Sequence, residues 1–345
     1  MPEKSSVAFL GLGHMGGPMA LNLVRAGYRV AGFDVVPEAL QAARALGIPV
    51  AGNALDAVDG ADVVLTMFPS GRHVLDAYLG GPDGPGLLGA ASLGTMFLDC
   101  STINVDEARE AARLAIEAGH RSIDAPVSGG VVGAEAGTLT FMAGGEGADF
   151  EAVLPLLEVM GKRVVHCGGH GAGQAAKICN NLILGVSMIA VSEAFVLGEE
   201  LGLTHQALFD VASAASGQCW ALTTNCPVPG PVPTSPANRD YQPGFAAALM
   251  AKDLNLAVNA LDSTGVAGEM GALAARIYGR FAAEGGAGRD FSAIITDIRD
   301  SSRRHAPGQH GPGQHDGGDP VGERAGTQLP DRRRTTTAHD DGSPE

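Results

Sequence analysis

Short apolar runs alternate with longer amphipathic stretches over the first half of the chain. VAFLGLG, RVAGFD, ADVVLTMFP and MFLDCST read as strands, and residues 18–26, 37–45 and 105–118 place Ala, Leu, Glu and Arg at helical spacing. Strands alternating with amphipathic helices predict βαβ units around a parallel sheet. RSIDAPVSGG, TLTFMAGG and KRVVHCG add three more strand-like runs. After Gly173 the strand signal almost vanishes. Residues 174–202 predict one long helix ending at Gly202, and Thr204 is placed to cap a second helix running through Ala214. Residues 226–241 predict a Pro-rich loop. Helical spacing resumes over 245–263, 268–284 and 291–302.

This pattern predicts an α/β Rossmann-type N-terminal domain over residues 1–168. An all-α domain over 169–302 follows, with a long interdomain helix at its start. Residues 303–345 break the pattern, with no Phe, Tyr, Trp, Ile, Met or Cys, repeated Gly-Pro and Gly-Gln-His units, and an Arg332-Arg333-Arg334 run. Such a segment buries too little apolar surface to offset its ordering entropy, and a disordered tail is expected.

Composition narrows the function. The 345 residues contain 45% apolar side chains, enough for a large core, and 50 glycines, about twice the usual share. The net charge is −15, and the tail contributes one unit of it through six Arg and seven acidic residues. A general nucleic-acid binder, which needs clustered Lys and Arg, is not expected. The five cysteines, Cys100, Cys167, Cys179, Cys219 and Cys226, lack CxxC spacing, so neither a zinc cluster nor a disulfide scaffold is expected. The first residues have no signal-peptide layout, and the apolar stretch 182–191 is too short for a membrane span. A cytoplasmic protein with no membrane or metal partner is the expectation.

Four motifs carry chemistry. Gly11-Leu-Gly13-His-Met-Gly16 follows a strand and opens a helix. In a dinucleotide-binding turn the first glycine allows the tight turn and the second lets the pyrophosphate reach the backbone. The third lets helix and strand pack closely, and the helix N-terminus faces the phosphates. Asp34 closes the next strand, where a carboxylate accepts hydrogen bonds from the adenosine ribose and repels a 2′-phosphate; this favours NAD over NADP. Lys177 and Asn181 are four residues apart on one face of the long helix. A desolvated Lys there can serve as general acid/base on an alcohol or carbonyl, and Asn181 can orient the hydroxyl; a Lys stem packing at a helix start is the plainer alternative. Ser128-Gly129-Gly130 offers a hydroxyl and consecutive unhindered N–H groups, either as a carboxylate cradle or as an ordinary loop.

Together these residues resemble the 3-hydroxyisobutyrate dehydrogenase family of β-hydroxyacid dehydrogenases, which are similar to 6-phosphogluconate dehydrogenase. The resemblance runs through FLGLGHMGGPM, Met67-Phe68-Pro69, Asp99-Cys-Ser101-Thr102, DAPVSGG with GAEAGTLTFMAGG, and GAGQAAKICNN. It continues to Phe245 with LMAKDLNLA and to FSAIITDIRDSS, covering most of the chain. Gly217-Gln-Cys-Trp220 and Asn225-Cys-Pro-Val-Pro-Gly230 look more like the hydroxyisobutyrate enzymes than the tartronate-semialdehyde reductases.

The resemblance implies NAD-linked oxidation of (S)-3-hydroxyisobutyrate to methylmalonate semialdehyde, a step of valine catabolism, by a homodimer or homotetramer. It implies that Lys177 is catalytic and that Ser128, Gly129, Gly130 and Asn181 bind substrate. It further implies cofactor contacts from Gly11, Leu12, Gly13, His14, Met15 and Gly16, and from Asp34, Phe68, Pro69, His73, Thr102 and Lys252. Three departures stand out: His73 replaces the Asn of many relatives, residues 231–240 differ from the usual loop, and the tail has no counterpart. The competing readings are an enzyme for another β-hydroxy acid (tartronate semialdehyde, L-serine or 4-hydroxybutyrate) and a non-catalytic cofactor-binding protein.

Overall fold

The computed structural model describes residues 5–81 and 84–305. The N-terminal half begins with β1 (Ser6–Leu10), α1 (Gly16–Arg25), β2 (Arg29–Phe33), α2 (Pro37–Ala45), α3 (Ala54–Val58), β3 (Val63–Thr66) and α4 (Gly71–Leu79). A short ribbon, β4 (Gly80–Gly81) with β5 (Gly84–Pro85), precedes α5 (Leu87–Ala90), β6 (Met96–Asp99), α6 (Val105–Glu117) and β7 (Arg121–Asp124). The half closes with β8 (Val127–Ser128), α7 (Gly130–Ala136), β9 (Leu139–Gly144), α8 (Gly147–Met160) and β10 (Gly161–Gly168).

The main sheet runs β10-β9-β7-β6-β3-β1-β2. Its central strands β3 and β6 are buried at every residue, as expected of apolar strands covered on both faces by helices. One core layer packs α1 and α8 against the sheet around Phe9, Met19, Leu23 and Phe141; the other packs α3 to α6 around Val64, Tyr78 and Phe97. Strands β2, β1, β3, β6 and β7 are mutually parallel. Chain order reverses at β1, which lies between β2 and β3, and the crevice above such a reversal is where open α/β sheets bind ligands.

The expected all-parallel sheet is corrected at β9, which runs antiparallel to β7 and β8. Only residues 129–138 separate β8 from β9, and a parallel crossover needs a dozen or more residues. Helix α8 supplies such a crossover, and β10 returns parallel to β9.

Helix α9 (Ala172–Glu200) starts the second half, two residues earlier than its sequence signal. It is followed by α10 (His205–Ala214, capped by Thr204), α11 (Trp220–Thr223), α12 (Ala247–Thr264), α13 (Glu269–Phe281) and α14 (Ile294–His305). The Pro-rich loop contains a 3-10 turn, Pro236–Arg239, with Pro236 and Ala237 buried. At 29 residues, α9 is among the described residues the one helix long and apolar enough to cross a bilayer, which the shorter apolar stretch did not suggest. Here it packs along β9, α12 and α13. The tail expected from Arg303 begins inside α14, whose last turn includes Arg303 and Arg304; residues 306–345 lie outside the described residues.

Candidate active site

The glycine turn sits between β1 and α1. Gly11 has φ +95° and its N–H donates to the Phe33 carbonyl at 2.9 Å. A Cβ on Gly16 would stand 1.9 Å from the Gly11 carbonyl oxygen, so only glycine lets α1 approach the turn this closely. No protein atom lies within 4 Å of a Cβ built on Gly13. The protein's own packing therefore does not require glycine at 13, whereas a phosphate group approaching the exposed backbone would. Leu12 is buried, Met15 half-buried and His14 exposed. Asp34 joins the turn to the end of β2: one carboxylate oxygen accepts from Leu12 N at 2.7 Å and the other from Val36 N at 2.8 Å. Each oxygen has a second lone pair, so the carboxylate can still receive ribose hydroxyls. These residues fit a dinucleotide.

Across the crevice, the loops after β3 and β6 are linked by hydrogen bonds. Asp99, at the end of β6, accepts from Thr66 Oγ1 at 2.7 Å and Ser101 Oγ at 2.6 Å; Ser101 Oγ in turn accepts from Phe68 N at 2.8 Å. The other Asp99 oxygen is buried with no partner among the described residues, and burial pushes its carboxyl up. Lys252, from α12, spans both loops, donating to Pro69 O at 3.2 Å and Thr102 O at 2.9 Å. Phe68, Pro69, Thr102 and Lys252 are thus brought together, whereas His73 is exposed in the first turn of α4 with Nδ1 2.7 Å from Ser70 Oγ. A Lys252→Met variant should raise the NADH Kd about tenfold, the weight of one charge-assisted hydrogen bond. Fluorescence titration measures this, and an unchanged Kd would count against a part for this α12 link in cofactor binding.

Lys177 lies one turn into α9, 6% exposed, and donates no hydrogen bond to the described residues. Burial lowers its pKa to about 8; Asp253 opposes the fall and Lys252 adds to it. Asp253, on α12, is itself buried, and burial raises its pKa against the pull of Lys252 and Lys177. It accepts Asn181 Nδ2 at 2.5 Å, and Asn180 Nδ2 donates to Asn181 Oδ1 at 2.9 Å. Asn181 is therefore fixed from both ends of its amide. The N-terminus of α9 is held by Asp124 at the end of β7, whose oxygens accept Gly171 N at 2.7 Å and Gln174 N at 2.9 Å. Desolvation raises Asp124 to about 6, against the pull of these two N–H groups.

Ser128, Gly129 and Gly130 form the turn between β8 and α7. Gly129 has φ +137° and Gly130 φ +63°, and a Cβ on Gly130 would stand 2.7 Å from the Gly244 carbonyl oxygen. This turn thus abuts the segment leading into α12. Asp290 fixes that segment: one oxygen accepts Gly244 N at 3.0 Å and Phe245 N at 3.1 Å, and the other accepts Ser292 Oγ at 2.6 Å and Asn225 Nδ2 at 3.2 Å.

Sequence reasoning missed Asp253, Asp290 and the amide of Gln174. Asp253 had a signal, as the acid following Lys252 in LMAKDL; the other two act through contacts remote in sequence.

Residues 6–169 match the family model described as the NAD binding domain of 6-phosphogluconate dehydrogenase. Residues 171–298 match that described as NAD-binding of NADP-dependent 3-hydroxyisobutyrate dehydrogenase. The chain belongs to the 3-hydroxyisobutyrate dehydrogenase family. It is 53% identical over 295 residues to a probable 3-hydroxyisobutyrate dehydrogenase of Mycobacterium tuberculosis, covering 86% of this chain and 98% of the relative. It is 47% identical over 288 residues to an NAD-dependent L-serine dehydrogenase of Pseudomonas aeruginosa, covering 84% and 96%. A solved structure of the M. tuberculosis 3-hydroxyisobutyrate dehydrogenase with L-serine superposes with a TM-score of 0.81 over 86% of this chain and 99% of that one, at 53% identity. As a member of this family the chain is an NAD(P)-dependent oxidoreductase acting on a small hydroxy acid.

Proposed function

We propose that the protein oxidises (S)-3-hydroxyisobutyrate to methylmalonate semialdehyde with NAD, as a homodimer or homotetramer. The observation that carries this reading is Lys177: buried, lowered to about 8, and without a hydrogen-bond acceptor among the described residues, one helical turn from the fixed amide of Asn181. The nicotinamide cofactor, when bound, supplies the acceptor for the two electrons and hydrogen leaving the alcohol carbon. The substrate carboxylate docks on Ser128 Oγ and the N–H groups that follow it, and Asn181 orients the hydroxyl. Neutral Lys177 takes the hydroxyl proton as the carbonyl forms. In the reverse direction the ammonium of Lys177 donates that proton and stabilises the developing alkoxide.

L-Serine is the second reading, favoured by the Pseudomonas relative, an NAD-dependent L-serine dehydrogenase, and by the serine in the mycobacterial structure. It carries an amino group where hydroxyisobutyrate has a methyl, around the same hydroxymethyl and carboxylate. NADH formation across 3-hydroxyisobutyrate, L-serine, glycerate and 4-hydroxybutyrate separates the readings. Preference for serine would move the assignment to the second; no turnover on any of them would reject both.

The preference for NAD rests on Asp34, whose carboxylate meets the ribose hydroxyls and repels a 2′-phosphate. Asp34→Ala should cut the NAD over NADP ratio of kcat/KM by about tenfold or more, a charge-assisted hydrogen bond being worth 1.5–3 kcal/mol. An unchanged ratio would remove Asp34 as discriminator. Exposed Ile183 and Leu197 on α9, Leu201 just beyond it and Val211 on α10 support a second copy packing against this half; light scattering reads the assembly directly.

A further inference from the structure

Helix α9 carries few polar residues on its buried sides. Three of them, Gln174, Lys177 and Asn181, are spaced i, i+3, i+7 and form one stripe. Gly173 and Gly185 let α9 approach Met142 O and the Leu254 side chain with no room for a Cβ. Directional bonds add to that fit in fixing the direction in which Lys177 points.

The stripe has an anchor at each end. Asn181 is held by Asp253 on α12 at 2.5 Å. Gln174, fully buried, donates Nε2 to Ser101 O at 2.7 Å and accepts Ile103 N on Oε1 at 3.1 Å. Its amide grips the backbone on either side of Thr102, whose carbonyl receives Lys252. We infer that Gln174 is a positioning residue for the reaction: its amide locks α9 to the 101–103 loop and so fixes the Lys177 amine against the edge of the cofactor site.

The inference rests on the function proposed above. Asp124 holds only the N–H groups at the start of α9, whereas among the described residues Gln174 alone joins the stripe bearing Lys177 by direct hydrogen bonds to the loop bearing Thr102. Turning α9 would leave a buried carbonyl and a buried N–H unpaired, so the amide resists rotation. Misplacing a reacting group by about 1 Å can cost about 100-fold in rate.

Two variants test this. Gln174→Met keeps length and volume without the amide; Gln174→Asn keeps the amide but shortens its reach. Each is assayed for kcat, KM and the primary isotope effect with 3-hydroxyisobutyrate deuterated at the hydroxymethyl carbon. The pH dependence of Lys177 carbamylation by cyanate is followed by mass spectrometry on the protein without cofactor. The expected result is a kcat loss of about tenfold or more with KM within about threefold, and a larger isotope effect as the chemical step becomes limiting. The midpoint for carbamylation should move up as water reaches the amine. Turnover within about twofold of the parent in both variants, with an unmoved carbamylation midpoint, would overturn the inference. So would failure of both variants to fold, since Gln174 would then hold the fold rather than the site. A parent protein that turns over none of the hydroxy acids would defeat the functional reading instead, and the cyanate measurement would still decide the role of Gln174.

Discussion

Replacing Lys177 by Met should remove turnover and stabilise the protein. A positioned general acid/base contributes about 10²–10⁴ in rate, so kcat should fall by about a thousandfold while NADH still binds. The stability gain follows from burial. The folded chain holds this amine at about 8 against an ordinary 10.5, so its charged form costs up to about 3 kcal/mol at neutral pH. Methionine fills the same space without that cost, less whatever Asp253 loses when its neighbour goes. The sign can be checked by titration. Between pH 8 and 10.5 the unfolded chain binds the proton that the folded chain has released, so the Lys177 contribution rises with pH. Buried Cys100, Tyr78 and Tyr278, pushed up by burial, pull the other way in parent and variant alike, so the parent-minus-variant difference should rise across that window. Denaturant melts at three pH values measure it. In the parent, kcat/KM for oxidation should climb through about pH 8, and that for reduction should fall. A Lys177→Met protein with near-normal turnover would refute the catalytic role.

A pair of glycine variants should separate what the fold needs from what the cofactor needs. In Gly16→Ala the new methyl would stand 1.9 Å from the Gly11 carbonyl and 3.1 Å from a Phe9 ring carbon, so the turn must open. The expected cost is about 1–3 kcal/mol of stability, with a loss of NADH affinity of about 100-fold or more as the N–H groups at the start of α1 move away. In Gly13→Ala the methyl meets no protein atom within 4 Å, so stability should stay within about 0.5 kcal/mol while NADH affinity still falls sharply. Thermal melts and fluorescence titration read both quantities. Unchanged NADH affinity in Gly13→Ala would show that the pyrophosphate does not approach there.

The elements that could be read from sequence are those specified locally. The β1 turn, α2, α6 and the cap at Thr204 follow from residues a few positions apart. The reversal of β9 depends on the short span after Ser128, and no hydrophobic period encodes it. Helix α8 was obscured by VLPLLEVM, a nearly continuous apolar run with a proline inside it. The candidate site divides the same way. Lys177 and Asn181 share a motif, whereas Gln174 acts on Ser101 and Ile103 more than 70 residues away, and Asp290 acts on Asn225 65 residues away. Side-chain bonds of that reach leave no periodic trace.

Asp290 ties Asn225 and Gly244–Phe245 to one carboxylate, and the Tyr241 hydroxyl donates to the Pro227 carbonyl between them. Residues 228–240 are therefore an insert whose two ends are stitched together from outside it, and its own buried Ser235 adds a hydrogen bond to the Cys226 carbonyl. Three small apolar anchors inside it, Val228, Val232 and Ala237, join the helical core. A segment fastened in this way can be exchanged for one of different composition, given the same anchors, without moving α12 or the Lys252 that reaches the Pro69 and Thr102 carbonyls. Residues 231–240, which the family resemblance sets apart from the usual loop, lie inside this insert.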